Sequence, residues 1–266
     1  MTDTNIQNET RIIFVDNYTY EVTHLFNGNA FPETLKEEVD ACVTRMVIFR
    51  RNARDVCAQV SRDFAAFQEQ LNDQIQMLQE TAIKKPEQRF TCYHDNTHYI
   101  SAICSALIYL KSFLDVYSAL IVKSINPSQK LLFSKAVVDG ETKQAAGGKL
   151  VNWLRRCAPA QHTNLSNIIL THSKDWIHQA VTYRDTLIHY GELPKLRRMR
   201  VPLRPESPPF RPEEIEAPKM PHGDDVQIYV RDLAERLHGF LQETVPSIPN
   251  VKLELVDFRE FPLDTN

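Results

Sequence analysis

The stretch VCAQVSRDFAAFQEQLNDQIQML, residues 56–78, places apolar side chains at Val56, Val60, Phe64, Phe67, Leu71, Ile75 and Leu78. Steps of three and four residues return to the same side of a 3.6-residue helix, so these positions form one continuous stripe. Upstream, Leu35, Val39, Cys42, Met46 and Phe49 make a similar stripe, and the basic run Arg50-Arg51-Asn52-Ala53-Arg54 stands between the two. The helical pattern holds from Glu33 to about Lys84, and Pro86 ends it. A straight helix of that length spans about 75 Å, which is long for a compact domain. A bend near Arg50–Arg54, or a projecting helix, is therefore expected.

Three more helices follow from punctuation and periodicity. One begins at Asp95 or Asn96 and runs to about Lys123, before Asn126-Pro127. Another starts near Thr163-Asn164 and ends at Gly191, with Pro194 beyond, and Ile169, Trp176, Ile177, Ala180, Leu187 and Ile188 supply its buried side. The last is capped by Asp224 or Asp225 and closed by Pro246, with Val226, Tyr229, Val230, Leu233, Leu237, Phe240 and Leu241 along one face. A short helix fits residues 149–157 through Val151, Trp153 and Leu154. Residues 128–138 suit a short helix or strand, and Gly140–Gly148 reads as a polar loop.

The remainder is extended. Eight prolines between Pro194 and Pro221 rule out a helix there, in a segment that is basic at first and acidic later. Val251, Leu253 and Leu255 alternate as a strand, and its expected partner is the run Ile12–Val15, giving a small two-stranded ribbon from the termini. The expectation is thus an all-α fold, a bundle of at least four helices with a long N-terminal one. It is read as a single domain over residues 1–266, with 194–222 as a proline-rich insertion.

Composition narrows the function classes. Seven glycines in 266 residues argue against glycine-built phosphate loops, and Gly147-Gly148-Lys149 lacks the spacing of one. A net charge of -3 means that any grip on nucleic acid must come from a local basic patch. Cys42, Cys57, Cys92, Cys104 and Cys157 are odd in number and widely spaced, so they are expected to be buried free thiols of a reducing, cytoplasmic compartment. The start MTDTNIQNET has no secretory pattern. Residues 99–122 approach the length of a membrane span, but Lys111 and Asp115 sit inside it, four apart and able to pair on one face. A central bundle helix, with no membrane partner, is the better reading.

Chemistry concentrates in Tyr183-Arg184-Asp185-Thr186-Leu187-Ile188-His189-Tyr190-Gly191, at a helix end. An arginine, a polar residue, three further residues and a histidine, in an all-helical context, resemble the signature of the HEPN superfamily. The part that matches this family's bundle runs from about 93 to 245. Other Arg/His pairs, such as Arg89/His94 and Arg231/His238, share a loose spacing, but only Arg184/His189 adds the acidic second residue, the Leu187-Ile188 pair and a glycine stop.

The resemblance implies a metal-independent endoribonuclease, without cofactor, of a kind common among toxins and defence systems. In such a site the 2′-hydroxyl attacks the neighbouring phosphate. Arg184 would stabilise the developing negative charge, His189 would serve in acid–base transfer, and Asp185, one turn before His189, would orient the imidazole. HEPN proteins are generally dimers with a shared cleft. Arg184 and His189 stand about 140° apart on an ideal helix, so they converge only if the helix end unwinds or if two copies meet. Lys195, Arg197, Arg198 and Arg200 follow directly and can hold RNA phosphates.

The competing reading makes Arg184 and Asp185 a surface ion pair and the chain a non-catalytic helical dimer or scaffold, docking a protein partner through 194–222. A third constellation, His172, Asp175 and His178 with His94 and His98, has metal-ligand residue types but no shared face for the six-residue step. No metal site is assigned.

Overall fold

The computed structural model describes residues 26–30, 33–84, 90–95, 97–140, 142–157, 159–190, 198–203, 218–249 and 251–255. The run Ile12–Val15, Lys195, Arg197 and the Gly191 helix stop lie outside the described residues. The protein is an all-α helical bundle with small two-stranded ribbons.

Helix α1 spans Lys36–Lys84 as one element, entered through a short 3-10 turn. Its stripe does not break at the basic run. Leu35, Val39, Cys42, Met46, Phe49, Ala53, Val56, Val60, Asp63 and Phe67 are all buried, in strict alternation of four- and three-residue steps. Ala53, enclosed among the arginines, carries the stripe across; the guanidiniums occupy flanking positions. This 3.5-residue rhythm is that of helices packing side by side over a long distance. Phe64 is only half-buried and Asp63 takes the inward position, with Oδ1 accepting from Gln59 Nε2 at 2.8 Å.

Helix α2 covers Thr97–Ile125, and Ile103, Leu107, Leu110, Phe113, Leu114, Tyr117 and Ile121 are buried along it. It is long and apolar enough to cross a membrane by length and composition alone. Within it Asp115 Oδ1 accepts the backbone N–H of Phe133 at 2.9 Å, fixing the start of the hairpin β3 (Ala136–Val137) and β4 (Gln144–Ala145). The supposed polar loop is partly core, because Ala145, Ala146, Gly147 and Gly148 are buried. Gly147 has φ +76, and a Cβ there would meet Phe133 Cζ at 2.4 Å, so both backbone and packing require glycine.

Helix α3 is Gly148–Cys157, with Leu150, Val151 and Leu154 inward and Trp153 half-buried. The next helix starts earlier than expected, with Pro159 in its first turn. It runs as α4 (Pro159–His172), a π turn (Ser173–Ile177) and α5 (His178–Tyr190). Helix α6 is Val226–Thr244, and each residue of its expected inner face is buried. Strand β6 (Lys252–Leu255) pairs antiparallel with β1 (Phe26–Ala30), so the ribbon exists but its first strand follows Ile12–Val15 by about a dozen residues. Strand β2 (Phe90–Asp95) pairs with β5 (Arg198–Leu203), which places part of the proline-rich segment in a ladder.

The chain divides into two compact units. The first contains the described residues up to Ile48, Ser112–Thr171 and those from Phe240 to Leu255. There Tyr117 donates to Thr244 Oγ1 at 2.7 Å, because the threonine hydroxyl itself donates to the Phe240 carbonyl. Lys123 pairs with Glu38, both largely buried. The second unit holds Phe49–Lys111 and His172–Gly239, and with them the whole candidate site. Of the cysteines, Cys42 and Cys57 are buried, while Cys157 is exposed, contrary to the expectation for all five.

Candidate functional site

Helix α5 positions Arg184, Asp185 and His189. Thr182 and Thr186 each return a hydroxyl hydrogen bond to the carbonyl four residues before, His178 and Thr182, which absorbs their polarity inside the helix. Leu187 is buried, whereas Ile188, expected inside, is 48% exposed beside an exposed His189.

Arg184 Nη1 donates to Asp185 Oδ1 at 2.9 Å, with the two side chains 30% and 32% exposed. The guanidinium is thus anchored at one nitrogen on a partly exposed side chain, while its Nε is buried without a hydrogen-bond partner among the described residues. The Asp185 carboxylate is engaged by Arg184. The helix stays regular to Tyr190, so the unwinding that would bring Arg184 and His189 together on one chain does not occur. They keep the separation of about 140° and about 7.5 Å of rise.

A second group of polar side chains converges beside this motif, and no spacing rule pointed to it. Tyr183 Oη lies 2.7 Å from His222 Nδ1, and His222 Nε2 lies 3.1 Å from Asp224 Oδ2. The two rings are within 10° of parallel, with centroids 5.7 Å apart. Tyr229 closes the cluster, its ring centroid 5.9 Å from Tyr183 and 5.2 Å from His222.

A tight turn holds His222 and Asp224. Gly223 N–H donates to Met220 O at 2.9 Å, and Met220 N–H to Asp224 O at 2.8 Å. Gly223 has φ +113, a conformation that side chains with a Cβ resist, and fully buried Met220 anchors the turn. Asp225 then caps α6 through its carbonyl, which accepts from Tyr229 N–H at 2.9 Å.

Burial pushes the Tyr183 phenol above its ordinary value, against hydrogen bonding from the His222 backbone and the Gln179 side chain that lowers it, with the Asp224 charge adding to the rise. Tyr229 is raised further, first by burial and then by Tyr183 and Asp232, and its hydroxyl has no hydrogen-bond partner among the described residues. Alongside, Arg236 bridges Asp232 at 2.6 Å and Asp175 at 2.7 Å, tying α6 to the π turn. Asp175 is thereby committed to a guanidinium, and His172 Nδ1 accepts from Trp176 Nε1 at 3.0 Å. Among the described residues no three His, Cys, Asp or Glu side chains are grouped as a metal ion would need.

Of the basic residues read as phosphate contacts, Arg198 and Arg200 lie on β5, in register with Asp95 and Tyr93. Compared with family models, with characterised proteins and with solved structures, the chain shows no significant match in any of the three, so what the site does rests on its own chemistry.

Proposed function

We propose that the chain is a HEPN-like endoribonuclease that cleaves RNA without a metal, acting as a homodimer. The observation that carries this reading is the partly exposed Arg184 guanidinium, fixed on Asp185, on the same last turns of α5 as the exposed His189. A charge-assisted bond to the neighbouring carboxylate preorganises the guanidinium, so little reorganisation is needed when a phosphate gains negative charge. Because α5 is intact, Arg184 of one copy and His189 of a second copy are assigned to the same cleft.

In the reaction the 2′-oxygen bonds to phosphorus and the P–O5′ bond breaks, leaving a 2′,3′-cyclic phosphate and a 5′-hydroxyl. Arg184 neutralises the non-bridging oxygens, and His189 in its protonated form gives its proton to the departing 5′-oxygen. Arg198 and Arg200 of β5 contribute phosphate contacts. A labelled RNA incubated with the protein in excess EDTA tests the proposal. Cleavage to cyclic-phosphate ends, abolished by His189→Ala, is expected; intact RNA from a stable dimer would return the chain to the scaffold reading.

A further inference from the structure

The Tyr183–His222–Asp224 arrangement has a direction. The Asp224 carboxylate is the acceptor in its 3.1 Å contact with His222, so His222 Nε2 carries the proton. That leaves the lone pair on Nδ1, and Tyr183 must donate its hydroxyl proton into the imidazole at 2.7 Å. Any proton leaving the phenol passes to His222, and the imidazolium formed faces the Asp224 carboxylate. This is the logic of an oriented nucleophile–histidine–carboxylate triad, with a phenol in first place.

The surroundings suit that role. Tyr183 is half-exposed, so its oxygen is within reach of a ligand, while the buried Tyr229 ring backs the pair. Gly223 and the Met220–Asp224 bonds hold the histidine in a fixed turn. A tyrosine needed only for packing would have no use for a histidine already oriented by a carboxylate.

We propose that Tyr183, relayed through His222 and Asp224, is the general base that takes the proton from a substrate hydroxyl, here the 2′-hydroxyl of RNA. The 2′-hydroxyl proton moves to Tyr183 Oη as the phenol's own proton moves to His222 Nδ1. The 2′-oxygen then bonds to phosphorus, and the 5′-oxygen departs with the proton from His189. Solvent takes the proton from His222 and restores the one on His189. The substrate assignment rests on the ribonuclease reading; the relay itself does not.

Two measurements keep these apart. An aryl sulfonyl fluoride reports the relay directly: the phenol oxygen attacks sulfur, fluoride leaves, and the phenol proton passes to His222. Mapping of the modified tyrosines is expected to show Tyr183 labelled at least tenfold faster than half-buried Tyr109, with the excess lost in His222→Gln and in Asp224→Asn. Equal labelling of Tyr183 and Tyr109, or an excess untouched by both variants, overturns the relay. In RNA cleavage, Tyr183→Phe keeps the ring and is expected to lower kcat by roughly 10²-fold, the lower end for lost acid–base catalysis, with KM within about twofold. Unchanged kcat in a chain whose cleavage needs His189 overturns the catalytic role alone. Fast Tyr183 labelling in a chain that leaves RNA intact overturns the RNA assignment and the proposed function, and leaves the relay standing.

Discussion

Pairing two inactive chains tests whether the cleft is shared. Because α5 is regular from His178 to Tyr190, Arg184 and His189 diverge by about 140° with about 7.5 Å of rise. In a two-fold dimer each cleft then takes its guanidinium from one copy and its imidazole from the other. Arg184→Ala and His189→Ala are each expected to lower cleavage by about 10²- to 10³-fold as homodimers. A heterodimer of the two variants has one cleft lacking both groups and one cleft complete. It is therefore expected to recover about half of wild-type activity per dimer, far above either parent. The assay is co-expression with two different affinity tags, purification on both in series, and cleavage of a fluorophore–quencher RNA in EDTA. A doubly tagged heterodimer as inactive as its parents, beside an active wild type, would refute the shared cleft. So would failure of the two tags to co-purify.

Other outcomes follow from the packing. Gly147→Ala must place a Cβ 2.4 Å from Phe133 Cζ at φ +76, and a loss of about 2–4 kcal/mol is expected from strain and overpacking together, read as a lower urea midpoint at unchanged slope. Lys123→Met strands the Glu38 carboxylate, whose side chain is 9% exposed, and is expected to cost about 3–5 kcal/mol in urea unfolding, whereas the double change with Glu38→Leu restores most of it. Burial raises Cys42 and Tyr117 above ordinary values of 9.0 and 10.0, so the folded chain keeps protons that the unfolded chain releases. The stability they contribute is present below those values and lost above them, at up to about 1.4 kcal/mol per pH unit for each group, and Tyr117→Phe removes one share of that slope in urea unfolding between pH 8 and pH 11.

The helical class and most of the inner faces were legible along the chain, because a helix that buries one side must repeat its apolar residues every three to four positions. The α6 face was read residue by residue, and Leu35, Val39, Cys42, Met46 and Phe49 likewise. Local charge misled at Arg50–Arg54: a run of arginines looked like an interruption, but the single small Ala53 among them was enough to carry the buried seam. A buried position needs an inward Cβ and a matching neighbour, and long arginines can reach solvent from either side of it.

Only the tertiary structure decided the rest, and for one physical reason: contacts between distant segments do not repeat along a chain. The π turn at Ser173–Ile177 leaves no mark in composition, and the exposure of Ile188 beside buried Leu187 leaves none either. His222 stood in a segment read for its prolines and Asp224 was read as a helix cap, and nothing in their spacing tied them to Tyr183, 39 residues before His222. Strand β6 likewise pairs with Phe26–Ala30, a partner that no periodicity along the chain picked out and that only pairing in space reveals. Periodicity reports which side of an element is buried; what that side meets is set by the fold as a whole.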